Sequence, residues 1–90
     1  MDDQNLRPER ADDLEISPVI DGFVVSRAGN DRIHYLNVTA AFILEVSDGR
    51  STSADIAALL AEVFGLDNEP HDDVENCLQM LCREGLTTCS

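Results

Sequence analysis

The apolar residues of this chain change period once, near residue 37, and that switch limits what it can fold into. Upstream lie short runs with the alternation of strands. Downstream, apolar residues recur at helical spacing. Leu14–Val19 is a weak strand run interrupted by Pro18, which suits an edge or a strand end because proline cannot donate to a ladder. Gly22–Arg27 (GFVVSR) is a stronger run, with a Phe and two Val. Ala28-Gly29-Asn30-Asp31 is a turn signal, and Arg32–Leu36 (RIHYL) follows as a third strand. Two strands joined by a tight turn make a hairpin, and three make a minimal antiparallel sheet.

After the switch, Asn37 is a good N-cap for a helix that runs VTAAFILEVS and stops at Asp48-Gly49, with Gly49 as the left-handed residue beyond its last turn. Thr52 and Asp55 have the spacing of a capping box, with Asp in place of Glu. They open a helix with Ile56, Leu59, Leu60, Val63 and Phe64 at i, i+3, i+4, i+7 and i+8. Pro70 starts a third helix with a stripe of Val74, Cys77, Leu78 and Leu81, ended by Gly85. None of these helices is stable alone in water, so they must pack on one another and on one sheet face. The expected fold class is α+β, winged-helix-like: an N-terminal three-stranded antiparallel sheet followed by a three-helix bundle. Residues 1–13 lack apolar period and read as a disordered acidic tail. Residues 14–87 read as one domain, in keeping with a chain of 90 residues.

Charge excludes several functions. Six Arg and no Lys stand against eleven Asp and seven Glu, a net charge of −12. A nucleic-acid partner needs cations to replace the counterions on phosphate, so none is expected. In the winged-helix reading Ile56–Phe64 would be the recognition helix, yet the charges there, Asp55 and Glu62, are acidic. No apolar run approaches the roughly 20 residues that span a bilayer, and the start MDDQNLRPERADD is no secretory signal. The expected location is cytoplasmic, with no membrane partner. Cys77, Cys82 and Cys89 fit that placement as reduced thiols, being odd in number and confined to the end of the chain. With only His34 and His71 beside them, no metal site is expected. No catalytic constellation can be argued at these spacings, and nothing calls for a cofactor. An acidic carrier protein is a further alternative, but Asp48-Gly49-Arg50-Ser51 is not the Asp-Ser-Leu that carries a phosphopantetheine arm, and the strand-like first third disagrees. A winged-helix-like regulatory or protein-interaction module is another.

One ordered set of residues is more specific. It comprises Ile33–Ala40 (IHYLNVTA), Ile43-Leu44, Ser47-Asp48-Gly49, Thr52 with Asp55-Ile56-Ala57, Asp73-Val74, Leu78 with Leu81, and Glu84-Gly85-Leu86. Over roughly residues 16–87 the chain resembles the PqqD-like family, the recognition elements of pathways that modify ribosomally made peptides. The resemblance implies a non-catalytic adaptor. It would bind the leader of a precursor peptide as an extra strand beside the third strand, in a cleft closed by the third helix. It would present the core of that peptide to a modifying enzyme such as a radical SAM enzyme, protease or cyclase.

The residues bear on that role directly. Arg32–Leu36 lies at a sheet edge if the three strands form a meander, and it has no proline and one charge. Strand addition would give its free backbone groups partners; the alternative is a short edge that is merely solvated. Alternation puts Ile33 and Tyr35 on one face and Arg32, His34 and Leu36 on the other. Leu36, next to the helix cap, is expected inward. His34 would then be half-buried and Tyr35 an exposed contact residue. On the third helix Asp73, Cys77, Met80 and Glu84 fall at i, i+4, i+7 and i+11, one stripe beside the core stripe. Such a wall suits a peptide with an apolar anchor and a basic residue. The candidate peptide-binding set is therefore Arg32, Ile33, His34, Tyr35, Leu36, Asp73, Cys77, Met80 and Glu84. An open edge also invites pairing of two copies into a homodimer.

Overall fold

The computed structural model describes residues 7–27, 29 and 32–88. Three strands come first, β1 (Leu14–Val19), β2 (Gly22–Arg27) and β3 (Ile33–Leu36), and three helices follow, α1 (Val38–Glu45), α2 (Ser53–Phe64) and α3 (His71–Arg83). The sheet is antiparallel in the order β1-β2-β3. This is the expected α+β order. β1 and β3 are both edges.

The register sorts the side chains. Val25 faces Ile16 on one side and His34 on the other, and Phe23 faces Leu36. Val25 and Leu36 are buried, so this face is the inner one. β2 and β3 approach closely where β3 hands over to α1. A Cβ on Gly22 would run into the Leu36 carbonyl oxygen, so the start of β2 has room only for glycine.

The helices begin where the caps place them. Asn37 accepts from the Ala40 N–H at 2.8 Å. Thr52 and Asp55 form a complete capping box. Gly65 closes α2 in the left-handed region at φ 66°. The end of α1 differs from the sequence expectation. The Ser47 hydroxyl donates back to the Ile43 carbonyl at 2.7 Å, and its N–H turns to the Leu44 carbonyl at 3.2 Å. These bonds tighten the last turn, so the helix stops at Glu45. Gly49 is left-handed at φ 80° but lies in the loop beyond, not at the helix end. In the turn expected at 28–31, Gly29 has φ 77°; Ala28, Asn30 and Asp31 lie outside the described residues.

Ile43, Leu44, Ile56, Leu60, Leu81 and Leu86 are almost fully buried. Each contributes roughly 1.5–3 kcal/mol by leaving water. α3 packs on both α1 and α2, and α1 lies over β2 and β3.

Residues 7–13 are held against this core, unlike the solvated tail expected there; residues 1–6 lie outside the described residues. The Arg10 N–H donates to the Ser47 carbonyl at 2.9 Å and the Ala11 N–H to the Leu86 carbonyl at 3.0 Å. The Thr88 N–H donates to the Glu9 carbonyl at 2.8 Å. Arg27, at the end of β2, ties the segment down. Its Nε sits 3.2 Å from Asp13, and its Nη1 donates to the Gly85 carbonyl at 3.0 Å. The expectation of reduced thiols holds at Cys77, a free cysteine, and is corrected at Cys82, which is disulfide-bonded. Cys89 lies outside the described residues.

Candidate functional site

β3 is a four-residue edge with a proline-free backbone. Among the described residues, no backbone group of Ile33–Leu36 bonds to anything beyond the β2 ladder. In an antiparallel pair, half of an edge strand's N–H and C=O groups point away from the partner. Those groups of β3 face outward.

The side chains divide as the alternation predicts. Leu36 is buried and His34 half-buried on the inner face, while Ile33 is 68% and Tyr35 58% exposed on the outer face. The Tyr35 hydroxyl donates to the Asp21 carbonyl at 2.8 Å, which holds the ring across the end of β2. A strand laid beside β3 would meet Ile33 and Tyr35 as same-face neighbours.

Glu84, just past the end of α3, links the helix to the strand. Its Oε1 lies 2.9 Å from the Arg32 guanidinium and 3.6 Å from His34 Nδ1. That contact ties the C-terminal end of α3 to the start of β3. Asp73, Cys77 and Met80 share the flank of Glu84 by helical spacing. Cys77 and Met80 are half-buried and pack against the core from its margin, and Asp73 is exposed in the first turn. From Asp73 to Glu84 the stripe runs about 16 Å along the helix. From Ile33 to Leu36, β3 spans about 10 Å. Burial pushes the Cys77 thiol up to about 11, so it stays neutral at physiological pH and serves the wall as a small apolar group. Of the nine expected site residues, the structure brings Arg32, His34 and Glu84 into direct contact. It leaves Ile33 and Tyr35 on the outer sheet face. It seats Leu36 in the core, where it supports the strand.

The pair Arg32–Glu84 is exposed enough to be worth only ~0–1 kcal/mol. Each main-chain hydrogen bond contributes a net ~0.5–1.5 kcal/mol. An incoming strand making several such bonds would displace the ion pair readily.

A second opening lies at the other edge of the sheet. It is an apolar groove of about 300 Å³ between Ile16 and Phe23 on the sheet, Val38, Phe42 and Glu45 on α1, and Phe64 on α2. The rings of Phe42 and Phe64 meet edge to face with centroids 5.6 Å apart. Sequence reasoning did not find this groove. Its trace in the sequence is α1 itself, whose VTAAFILE is apolar on more faces than one core can cover.

Among the described residues, no group of three or more His, Cys, Asp or Glu side chains could hold a metal ion. No helix there is long and apolar enough to cross a membrane.

The fold and its open strand define a class: a small α+β domain that offers one unprotected strand edge beside a helix. The chain belongs to the PqqD family, described as "Coenzyme PQQ synthesis protein D (PqqD)", which it matches over residues 22–86. It is also similar to two proteins named "PqqA binding protein", one from Klebsiella pneumoniae (strain 342) and one from Klebsiella pneumoniae. Each is 46% identical over 54 residues, which cover 60% of this chain and 59% of the relative. The matched stretch thus spans about 59% of those relatives' own length. No solved structure matches the chain.

Proposed function

We propose that this chain is a non-catalytic adaptor that captures the leader of a ribosomally made precursor peptide and presents it to a peptide-modifying enzyme in the cytoplasm. The observation that carries the reading is the free edge of β3. Its outward backbone groups have no partner beyond the ladder among the described residues, no proline blocks it, and Glu84, just past α3, reaches Arg32 and His34. The leader adds as a fourth strand along Arg32–Leu36, main chain to main chain, and rests against Asp73, Cys77 and Met80. Tyr35 and Ile33 contact its outward side chains. Glu84 and Asp73 mark the two ends of the helix wall and favour a basic residue on the peptide. Membership of the PqqD family and likeness to proteins named for binding PqqA support this reading. Residues 14–87 form the binding unit in this proposal.

Titration calorimetry with the precursor peptide encoded nearest to this chain tests it. Met80→Glu places a charge on the wall and is expected to weaken binding at least tenfold. Tyr35→Ala is expected to weaken it about three- to tenfold. Unchanged affinity in both variants overturns the placement. No binding by the unaltered chain overturns the function.

A further inference from the structure

The apolar groove at the β1 edge has no place in leader capture by β3. Strand addition is obstructed at that edge, because Pro18 sits in β1 opposite Phe23 and cannot donate. What the groove offers is side-chain surface. Phe64 is 41% and Val38 52% exposed, and Phe42 and Phe64 form an aromatic corner with apolar floor beneath. The charged side chain lining it is an acid, and further acids follow Phe64 in the sequence. Glu45 lines one end, with its side chain largely in water although Arg10 approaches it at 2.9 Å. At the other end the chain leaves Phe64 through Gly65 into Leu66-Asp67-Asn68-Glu69, with two acids and no Lys or Arg.

Charge decides among occupants. A second copy would bring the same acidic rim and another net −12 against the first, so the groove is poorly matched to itself. An apolar anchor flanked by cations matches both the floor and the rim. We infer that this groove docks a protein partner through a segment bearing a large apolar side chain next to Arg or Lys, leaving the β3 edge free at the same time. The groove and its rim supply this argument without the leader reading. If that reading holds, the natural owner of such a segment is the modifying enzyme, since an adaptor must hold peptide and enzyme together.

A fluorescein-labelled amphipathic 16-mer of Leu and Lys serves as the probe, with a Leu/Glu 16-mer as its counterpart, followed by anisotropy on the full chain. The Leu/Lys peptide is expected to bind, and Phe64→Ser and Val38→Gln are each expected to weaken it at least tenfold. Val38→Gln keeps the test decisive should Phe64→Ser fold poorly, because Val38 is exposed in the first turn of α1. Met80→Glu, on α3 and outside the lining of the groove, is expected to leave probe binding unchanged while lowering leader affinity. Equal binding by the groove variants means attraction to net charge alone and overturns the inference. So does binding of the Leu/Glu peptide, loss through Met80→Glu alone, or no binding. A dimer in sedimentation that Phe64→Ser dissolves assigns the groove to a second copy and overturns it too. Failure of leader binding with the probe result intact would remove the adaptor role and leave the docking face standing.

Discussion

The two edges of the sheet are built on opposite principles. β1 is six residues long and carries Pro18, so a neighbouring strand would find a missing donor. β3 is four residues long with every donor in place. Beside β1 lies a groove floored by aromatic and aliphatic side chains. Beside β3 lies a helix flank tied to the strand by one exposed ion-pair cluster. A three-stranded sheet must have two edges, and this one gives them different languages. In the proposed reading, one edge takes a main chain, largely indifferent to sequence, with selectivity supplied by α3. The other takes side chains only. A molecule with both can hold an extended peptide and a folded partner without making them compete.

The largest effect expected is from Gly22→Val, which drives a side chain into the Leu36 carbonyl and pushes β3 off β2. Overpacking of this kind costs about 1–3 kcal/mol. Urea unfolding should register that loss, and calorimetry should show leader binding abolished. Retained binding would mean that β3 is not the docking edge.

Cys77 reports which edge is occupied. With its thiol raised from 9.0 to about 11, it carries about 100-fold less thiolate at pH 8 than an ordinary cysteine, and iodoacetamide should label it correspondingly slowly. Bound leader should slow labelling further, whereas a peptide in the groove should not. Equal protection by both would erase the distinction between the edges. The same shift fixes a sign for stability. The folded thiol keeps its proton between pH 9 and 11 while an unfolded one loses it. Its contribution is therefore full below pH 9 and disappears as the pH climbs toward 11.

Pro18→Val restores a donor to β1 and should turn the protected edge into a second pairing site. Sedimentation velocity is expected to show a mass that rises with concentration, where the unaltered chain shows less. A monomer at all concentrations would mean that Pro18 is not what guards this edge. The smallest effect is expected from Arg32→Ala. The pair it breaks is exposed, so leader affinity in calorimetry should move by less than about fivefold. A larger loss would make Arg32 a direct reader of the peptide.

Much of the scaffold was legible because it is written in local chemistry. Asn37, Thr52 and Asp55 cap the helices they were expected to cap. The alternation in IHYL correctly puts Leu36 inside and Tyr35 outside. Non-local facts were not legible. Period tells which face of α2 is apolar but not whether a neighbour covers it. Leu59, Val63 and Phe64 belong to the stripe and yet stay exposed. The back-bond from Ser47 to Ile43 shortens α1 with no sign in the apolar pattern. Residues 7–13 hold on through backbone bonds that any sequence could make, and an odd number of cysteines does not reveal that Cys82 is bonded. The candidate β3 site came from the family resemblance, with alternation and helical spacing naming its residues. The groove needs three elements brought together, and no single stretch encodes it.

Arg10 forms a bridge with Thr87, so positions at opposite ends of the fold's sequence lie side by side. A short linker between them would join the ends into a ring, and new termini could be opened elsewhere without disturbing either edge. By the same geometry, a second polypeptide grafted at position 10 or at position 87 would emerge from neighbouring points. Order of fusion would then leave the spatial relation between domain and cargo nearly the same.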